Sequence, residues 1–342
     1  HNKLDLSDIK TIPRKTSNNL QRSKLNKNDL VFAYVGTIGP IFLVEEDDRF
    51  HLGPNTSKIT VNRELDSKYL FHFFTSTFLK KEIIEHTSIG AQPSLSMFKI
   101  RSFKILTPPS LPEQKAIATA LSDTDALISS LEQLISKKRA IKQGAMHELL
   151  KPKDGWEVMT LGNIGEIKMC KRVFSYQTSQ AENIPFYKIG TFGKTPDSFI
   201  SHQLYLEYRL KYPFPKKGDI LISASGTIGR TVVFDGKDSY FQDSNIIWLE
   251  NSEKLLSNKL LFYIYQVVKY NTEGGTIQRL YNDIIKKTKI VIPISTTEQT
   301  RIATILSDMD TEIENLEDRL HKYKQIKQGM MQQLLTGKIR LV

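Results

Sequence analysis

Two acidic residues near a lysine, Asp197 and Asp235 with Lys237, are the only grouping in this chain that suggests metal chemistry. Paired carboxylates beside an ammonium can hold Mg²⁺ and activate water, as a nuclease requires. Asp235-Gly236 stands between Val232-Val233-Phe234 and Tyr240-Phe241, however, and there a hairpin turn is the ordinary explanation. A Mg-dependent DNA nuclease therefore stays as an alternative, not the leading reading. Other chemistry is missing from the sequence. It has no GxxxxGK[ST] phosphate loop, and its His residues form no HExxH or other ligand spacing. The Asn/Asp-Pro-Pro-Tyr/Phe box of amino-methyltransferases is absent, and Pro108-Pro109 reads as a junction between strand and helix. No catalytic residue, metal site or cofactor is assigned to this chain.

Residues suited to binding are plentiful. Lys168, Lys171, Arg172, Lys188 and Lys194 alternate with Phe174, Tyr176, Tyr187 and Phe192, a mixture that can neutralise phosphates while offering aromatic contact. Thr276, Gln278 and Arg279 are candidates for base edges, because Gln pairs bidentately with adenine and Arg with guanine. Gly36-Thr37-Ile38-Gly39 and Gly226-Thr227-Ile228-Gly229, the latter followed by Arg230, could bring backbone N–H groups to a phosphate. Tight turns without a ligand are the simpler explanation. Neither is a dinucleotide fingerprint, since both lack a third glycine and a following long helix.

Two repeated segments must position these groups. Glu113–Leu150 recurs as Glu298–Leu335 without a gap at an offset of 185, with 20 identities in 38 positions. Both carry an apolar seam at steps of three, four and seven: Ile117, Leu121, Ile128, Leu131 and Ile135 in the first, Ile302, Leu306, Ile313, Leu316 and Leu320 in the second. Such a seam predicts two coiled-coil helices, each a rod of about 57 Å at 1.5 Å per residue. Ser110-Leu-Pro-Glu113 and Ser295-Thr-Thr-Glu298 match the capping box that would start them. Pro152 and Gly337 would stop them. Gly144 and Gly329 fall inside the rods, where glycine costs about 1 kcal/mol relative to alanine. Close helix approach, contact with a partner, or a tolerated weak spot would each account for them.

The flanks repeat more faintly. Asn28–Val31 with the first Gly-Thr-Ile-Gly turn matches Gly218–Leu221 with the second, at an offset of 190, and each reads as strand, turn and strand. Lys68–Phe71 and Lys259–Phe262 read as short amphipathic helices. Lys104–Pro108 and Lys289–Pro293 read as a last strand before each rod. Position 1 aligns near position 191, so the first copy lacks a counterpart of Trp156–Gly190 and reads as incomplete at its N-terminal side. Diverged heads on similar rods imply related tasks with different specificities.

Net charge +11 and a pI near 9.4 suit a nucleic-acid binder. Lysine-rich solvated helix faces on a coiled-coil adaptor would produce the same balance. A single cysteine, Cys170, leaves no intrachain disulfide and fits a reducing, cytoplasmic setting. No apolar run approaches the roughly 18–20 residues of a membrane span, so no membrane partner is expected.

The arrangement resembles the specificity (S) subunit of type I restriction-modification systems, the HsdS family. The resemblance is carried by Leu111-Pro-Glu-Gln114 with Ile117-Ala118 and Leu121, by Glu298-Gln299 with Ile302-Ala303 and Leu306, and by the terminal Leu334-Leu-Thr-Gly-Lys-Ile-Arg340. Thr297 departs from the pattern where Pro112 stands in the first copy. The resemblance implies an α+β fold. Two mixed α/β target-recognition domains, 1–112 and 151–297, would be separated by an antiparallel two-helix coiled coil of spacer helices, 113–150 and 298–336, with a pseudo-two-fold internal repeat and a tail, 337–342. It implies that each domain reads half of a bipartite, asymmetric double-stranded DNA site, and that the chain itself is non-catalytic. Two methyltransferase (M) subunits bringing S-adenosylmethionine for adenine methylation, and restriction (R) subunits using ATP and Mg, are the implied partners.

Overall fold

The structure, a computed structural model, describes residues 7, 9–88, 93–270 and 279–341. It divides into two compact units, residues 1–135 with 315–342, and residues 136–314. Thr276 and Gln278 lie outside the described residues.

In the first unit the chain forms α1 (Arg14–Asn19), β1 (Leu30–Ala33), β2 (Ile41–Leu43), β3 (Thr56–Ile59), α2 (Ser67–Thr75), α3 (Thr77–His86), α4 (Met97–Ser102) and the first part of α5 (Leu111–Leu149). β1 lies between β2 and β3, antiparallel to both, with Leu30 opposite Leu43 and Phe32 opposite Ile41. Alternation places Leu30 and Phe32 in the core while Val31 and Ala33 are half-buried. Asp66 caps α2 by accepting from Tyr69 N. The helix then sets Tyr69, Leu70, Phe73 and Phe74 against the sheet.

The second unit follows the same plan with additions. It contains β4 (Trp156–Thr160), α6 (Leu161–Ile164), β5 (Gly165–Met169), β6 (Ile184–Tyr187), β7 (Phe199–Ile200), α7 (His202–Lys211), β8 (Ile220–Ser223), β9 (Thr231–Val233), β10 (Tyr240–Phe241), β11 (Ile246–Asn251), α8 (Asn258–Val267), α9 (Asn282–Lys287), β12 (Lys289–Pro293) and the first part of α10 (Thr296–Leu334). The order β9-β8-β11 reproduces β2-β1-β3, and β5 extends it. Ile220, Ile222, Ile247 and Leu249 face one core, while Leu221, Ile246 and Trp248 face another, built on the β10-β6-β7 sheet. Burial on both faces explains why β8 is apolar from Ile220 to Ile222.

One expected strand is absent. Lys289–Pro293 pairs with β4, but Lys104–Pro108 forms no strand. A strand needs a ladder partner, and among the described residues the first unit has no counterpart of β4.

The rods are continuous helices of 39 residues each. In the first unit Lys327 pairs with Asp125 at 2.6 Å and Lys324 with Glu132 at 2.7 Å. In the second Lys138 pairs with Glu312 at 2.6 Å and Lys142 pairs with Asp310. Within each unit numbering rises along one helix as it falls along the other, so the helices pack antiparallel. Ile117, Leu121, Ile128, Leu131, Ile135, Ile302, Leu306, Ile313 and Leu316 are buried, and Leu320 is half-buried. A Cβ added at Gly144 or Gly329 would meet nothing within 4 Å, so close helix approach does not explain either glycine.

Candidate nucleic-acid interface

Each head displays its glycine turn at the same strand end. Gly36 and Gly39 have φ of 76° and 107°, and Gly226 and Gly229 of 65° and 82°, values that favour glycine. Part of the backbone is already satisfied: Gly36 N donates to Pro93 O at 2.8 Å, and Gly39 N to Ala33 O at 3.1 Å. Gly229 N donates to Ser223 O at 3.0 Å. Ser223 Oγ also donates to Thr227 O and accepts from Arg230 N, which stiffens the second turn. Thr37 and Thr227 are exposed at the two tips.

The cations of the second head divide by their partners. Lys168 is held by Glu166 at 2.7 Å and Glu250 at 3.6 Å, and the Glu166 hydrogen bond raises its pKa. Arg172 Nε donates to Asp243 at 2.8 Å, and Lys188 pairs with Asp197 at 2.9 Å. Lys171 lies 5.1 Å from the centroid of the Tyr212 ring. Arg230 Nη1 donates to Phe192 O at 3.0 Å. Lys194 and Arg279 are exposed, and among the described residues neither has a carboxylate in ion-pair range. Phe174 and Tyr176 stack in parallel at the surface, centroids 5.7 Å apart, beside Lys171 and Arg172 in sequence. Aromatic faces with cations nearby can take up sugar or base contacts.

Arg279 borders a cleft of about 360 Å³ lined also by Ser225, Ser244, Asn245, Asn282 and Asp283. Ser225 Oγ donates to Asn245 Oδ1 at 2.8 Å across its floor. Met169, Ala224 and Leu280 add apolar surface between these hydrogen-bonding groups, a mixture that suits a base edge presenting donors and acceptors beside apolar atoms.

The residues of the nuclease alternative are occupied separately. Asp197 pairs with Lys188. Asp235 accepts from Lys237 N at 2.9 Å and faces Lys237 Nζ at 3.3 Å across the Asp235-Gly236 turn. That backbone hydrogen bond holds the Asp235 carboxyl below its usual pKa. Among the described residues no group of three His, Cys, Asp or Glu could hold a metal ion. Cys170 is buried, and burial pushes its thiol up to about 12.

The duplicated glutamine has a role that sequence reasoning missed. Gln114 Nε2 donates to Glu64 O at 3.1 Å and Pro108 O at 2.9 Å, while its Oε1 accepts from Asp66 N at 2.9 Å. Gln299 Nε2 donates to Leu255 O at 2.8 Å and Pro293 O at 2.9 Å, and its Oε1 accepts from Ser257 N at 3.1 Å. Each buried side chain thus fastens a rod to the loop that starts the head's amphipathic helix. The adjacent glutamates do not act as their capping boxes suggested. The Glu113 carboxylate is taken by Arg340, and Glu298 accepts from the Trp156 indole at 3.3 Å. Ser295 Oγ does accept from Glu298 N, at 3.4 Å.

The family model of the type I restriction modification DNA specificity domain matches residues 3–140 and again 153–326. The chain belongs to this family. It is a type I restriction-modification specificity subunit, whose task is DNA target recognition. A Haemophilus influenzae protein assigned as a type I restriction enzyme specificity subunit is 42% identical over 273 residues, covering 77% of this chain and 69% of that one. The type I restriction enzyme MjaVIII specificity subunit of Methanocaldococcus jannaschii is 28% identical over 355 residues, covering 93% of this chain and 80% of that one. In fold, this specificity subunit is similar to the S subunit of a type I restriction-modification system from M. genitalium, with a TM-score of 0.64, 17% identity, and coverage of 92% and 84%.

Proposed function

We propose that each unit of this specificity subunit reads one half of a bipartite, asymmetric duplex site, and that the rods set the unread gap between the halves. The observation that carries this is repetition with divergence. β1, β2, β3, α2 and α4 recur as β8, β9, β11, α8 and α9 in the same order, and both heads keep the Gly-Thr-Ile-Gly turn, yet the residues beside it differ, with Pro40 where Arg230 stands and Ser94 where Arg279 stands. A shared scaffold presenting different side chains suits two related targets that are not identical. Net charge +11 supports attraction to phosphate.

Thr37, Lys168, Lys171, Arg172, Lys188, Lys194, Thr227, Arg230, Thr276, Gln278 and Arg279 are the proposed DNA-facing set. Within it, Lys194 and Arg279 are supported best, because among the described residues neither has a carboxylate in ion-pair range. The chain contributes recognition and no catalysis. Two methyltransferase subunits would supply S-adenosylmethionine chemistry on adenine, and restriction subunits would supply ATP- and Mg-dependent cleavage, in the cytoplasm. Among the described residues no helix is long and apolar enough to cross a membrane.

Replacing residues 153–297 with the corresponding module of another specificity subunit tests the division of labour. Genome-wide methylation mapping in cells carrying the chimaera should show one half of the recognised site changed and the other retained. Changes in both halves, or in neither, would refute it.

A further inference from the structure

Beside their glycine turns the two heads repeat one small piece of backbone. In the second unit Ser225 forms an antiparallel bridge with Arg279, and Leu280 N donates to Ala224 O at 2.8 Å. In the first unit Val35 bridges Ser94, and Leu95 N donates to Tyr34 O at 2.9 Å. Positions 34 and 35 match 224 and 225 at the offset of 190 that relates the strands, and 94 and 95 match 279 and 280 at the offset of 185 that relates the rods. Leu95 and Leu280 are 1% and 3% exposed, so each bridge is anchored to its core by the residue that follows. The backbone at 94 and 279 is therefore held in the same way, while the side chains share nothing. Arg279 is exposed at the edge of the cleft. The Ser94 hydroxyl lies 3.1 Å from that of Ser88.

We propose that Ser94 and Arg279 are the equivalent specificity positions of the two heads, and that Arg279 reads a guanine in the major groove. The inference rests on the DNA-reading function proposed above and assigns it a residue in each half. A guanidinium fork matches guanine O6 and N7 with two hydrogen bonds, a pairing that no other base edge offers. Discrimination needs a base reader whose position is set before binding, because ordering it on contact subtracts from affinity. The bridge and the buried leucine supply that fixed position. The Ser225–Asn245 hydrogen bond ties the bridging strand to the cleft floor beside it. A serine hydroxyl can donate to or accept from several bases, so the position read through Ser94 is the less selective of the two.

The full chain, assembled with its modification subunits, can be used to select from a pool of randomised duplexes, followed by sequencing of those retained. For Arg279→Gln, the guanine preference at one position of one half-site should fall roughly 5- to 150-fold and shift toward adenine. The other half should be unchanged. Ser94→Arg should introduce a guanine preference in that other half. Arg279→Lys separates reading from simple charge: it should lose selectivity while keeping the parent's salt dependence. All three variants should unfold at the parent's denaturant midpoint. If Arg279→Gln leaves the motif unchanged, or weakens every duplex equally, Arg279 is not a base reader, although the DNA-reading function stands. If the parent complex selects no motif at all, the function itself fails and this inference fails with it.

Discussion

Arg340 and Glu113, 227 positions apart in the chain, form a two-pronged ion pair in which Nε and Nη2 donate to Oε1 and Oε2 at 2.6 Å each. Leu341 N adds a third donor to the same carboxylate, at 3.3 Å. The tail beyond the second rod thus closes onto the start of the first. A weaker echo occurs in the second unit, where Lys153, just beyond the first rod, stands 3.9 Å from Glu298 at the start of the second. The hydrogen bond from Arg340 is the main reason the Glu113 carboxyl sits below the usual glutamate range. A depressed carboxylate pKa contributes stability above the unfolded value, and this is lost as pH falls through the folded value. Arg340→Ala should therefore unfold at a lower temperature than the parent at pH 7. The difference should narrow as the pH falls below the usual glutamate range toward the depressed folded value, which paired thermal scans at pH 7 and pH 3 would reveal.

The two glutamines allow the units to be tested separately. Trp156 and Trp248, the only tryptophans, both lie in the second unit, so their fluorescence reports that unit alone. Gln299→Ala leaves two carbonyls and one N–H without their partner and should cost roughly 2–3 kcal/mol. It should move the fluorescence-monitored urea midpoint. Gln114→Ala should leave that midpoint in place and shift a separate transition seen by circular dichroism. Equal fluorescence shifts from both variants would mean that the units do not unfold independently.

His72 makes the first unit sensitive to mild acid. Burial is the main cause that lowers its pKa to about 4. Asp125 and Asp66 act in the opposite direction, and Lys327 acts with burial. Its Nε2 shares a hydrogen bond of 2.9 Å with Ser122, and its Nδ1 is 3.9 Å from Asp125. In the unfolded chain the imidazole takes up a proton near pH 6.5, whereas in the folded chain it stays neutral until about pH 4. Stability is thus fully present above pH 6.5 and declines on acidification, by about 2 kcal/mol at pH 5. His72→Gln should flatten the pH dependence of the first unit's unfolding between pH 6.5 and 5. Tyr263, the equivalent residue of the second head, instead donates to Asp310 at 2.9 Å and carries no such charge change.

Salt dependence distinguishes a phosphate contact from a structural lysine. Lys194→Ala should lower the slope of log affinity against log salt by about 1 and weaken all sequences alike. Lys168→Ala should change the slope much less, because Glu166 and Glu250 already neutralise that ammonium. Equal slopes for Lys194→Ala and the parent would remove Lys194 from the interface.

Sequence periodicity is a local property, and the local features were legible. The seams from Ile117 to Ile135 and from Ile302 to Leu316 are buried, and the strands on either side of each glycine turn pair as hairpins. Features that depend on distant partners were not. Lys104–Pro108 has strand composition but, among the described residues, no neighbour to pair with. Glu113 carries a capping signature, yet Arg340 reaches it from the far end of the chain. Lys168, Arg172 and Lys188 form a basic run in the sequence, but the carboxylates that pair with them are set by the fold, and Asp243 lies 71 positions from the Arg172 it meets. Gln114 and Gln299 stood out as identities, but their backbone partners are brought close only by folding.

The first unit draws Ile117, Ala118 and Leu121 into one core with Met330, Met331, Leu334 and Leu335. The second unit, residues 136–314, is contiguous in the chain. On the ribosome, the head translated first therefore stays unsealed until the one translated second has already emerged. Until then its apolar rod face is bare, so removing residues 319–342 would damage the first unit rather than the second.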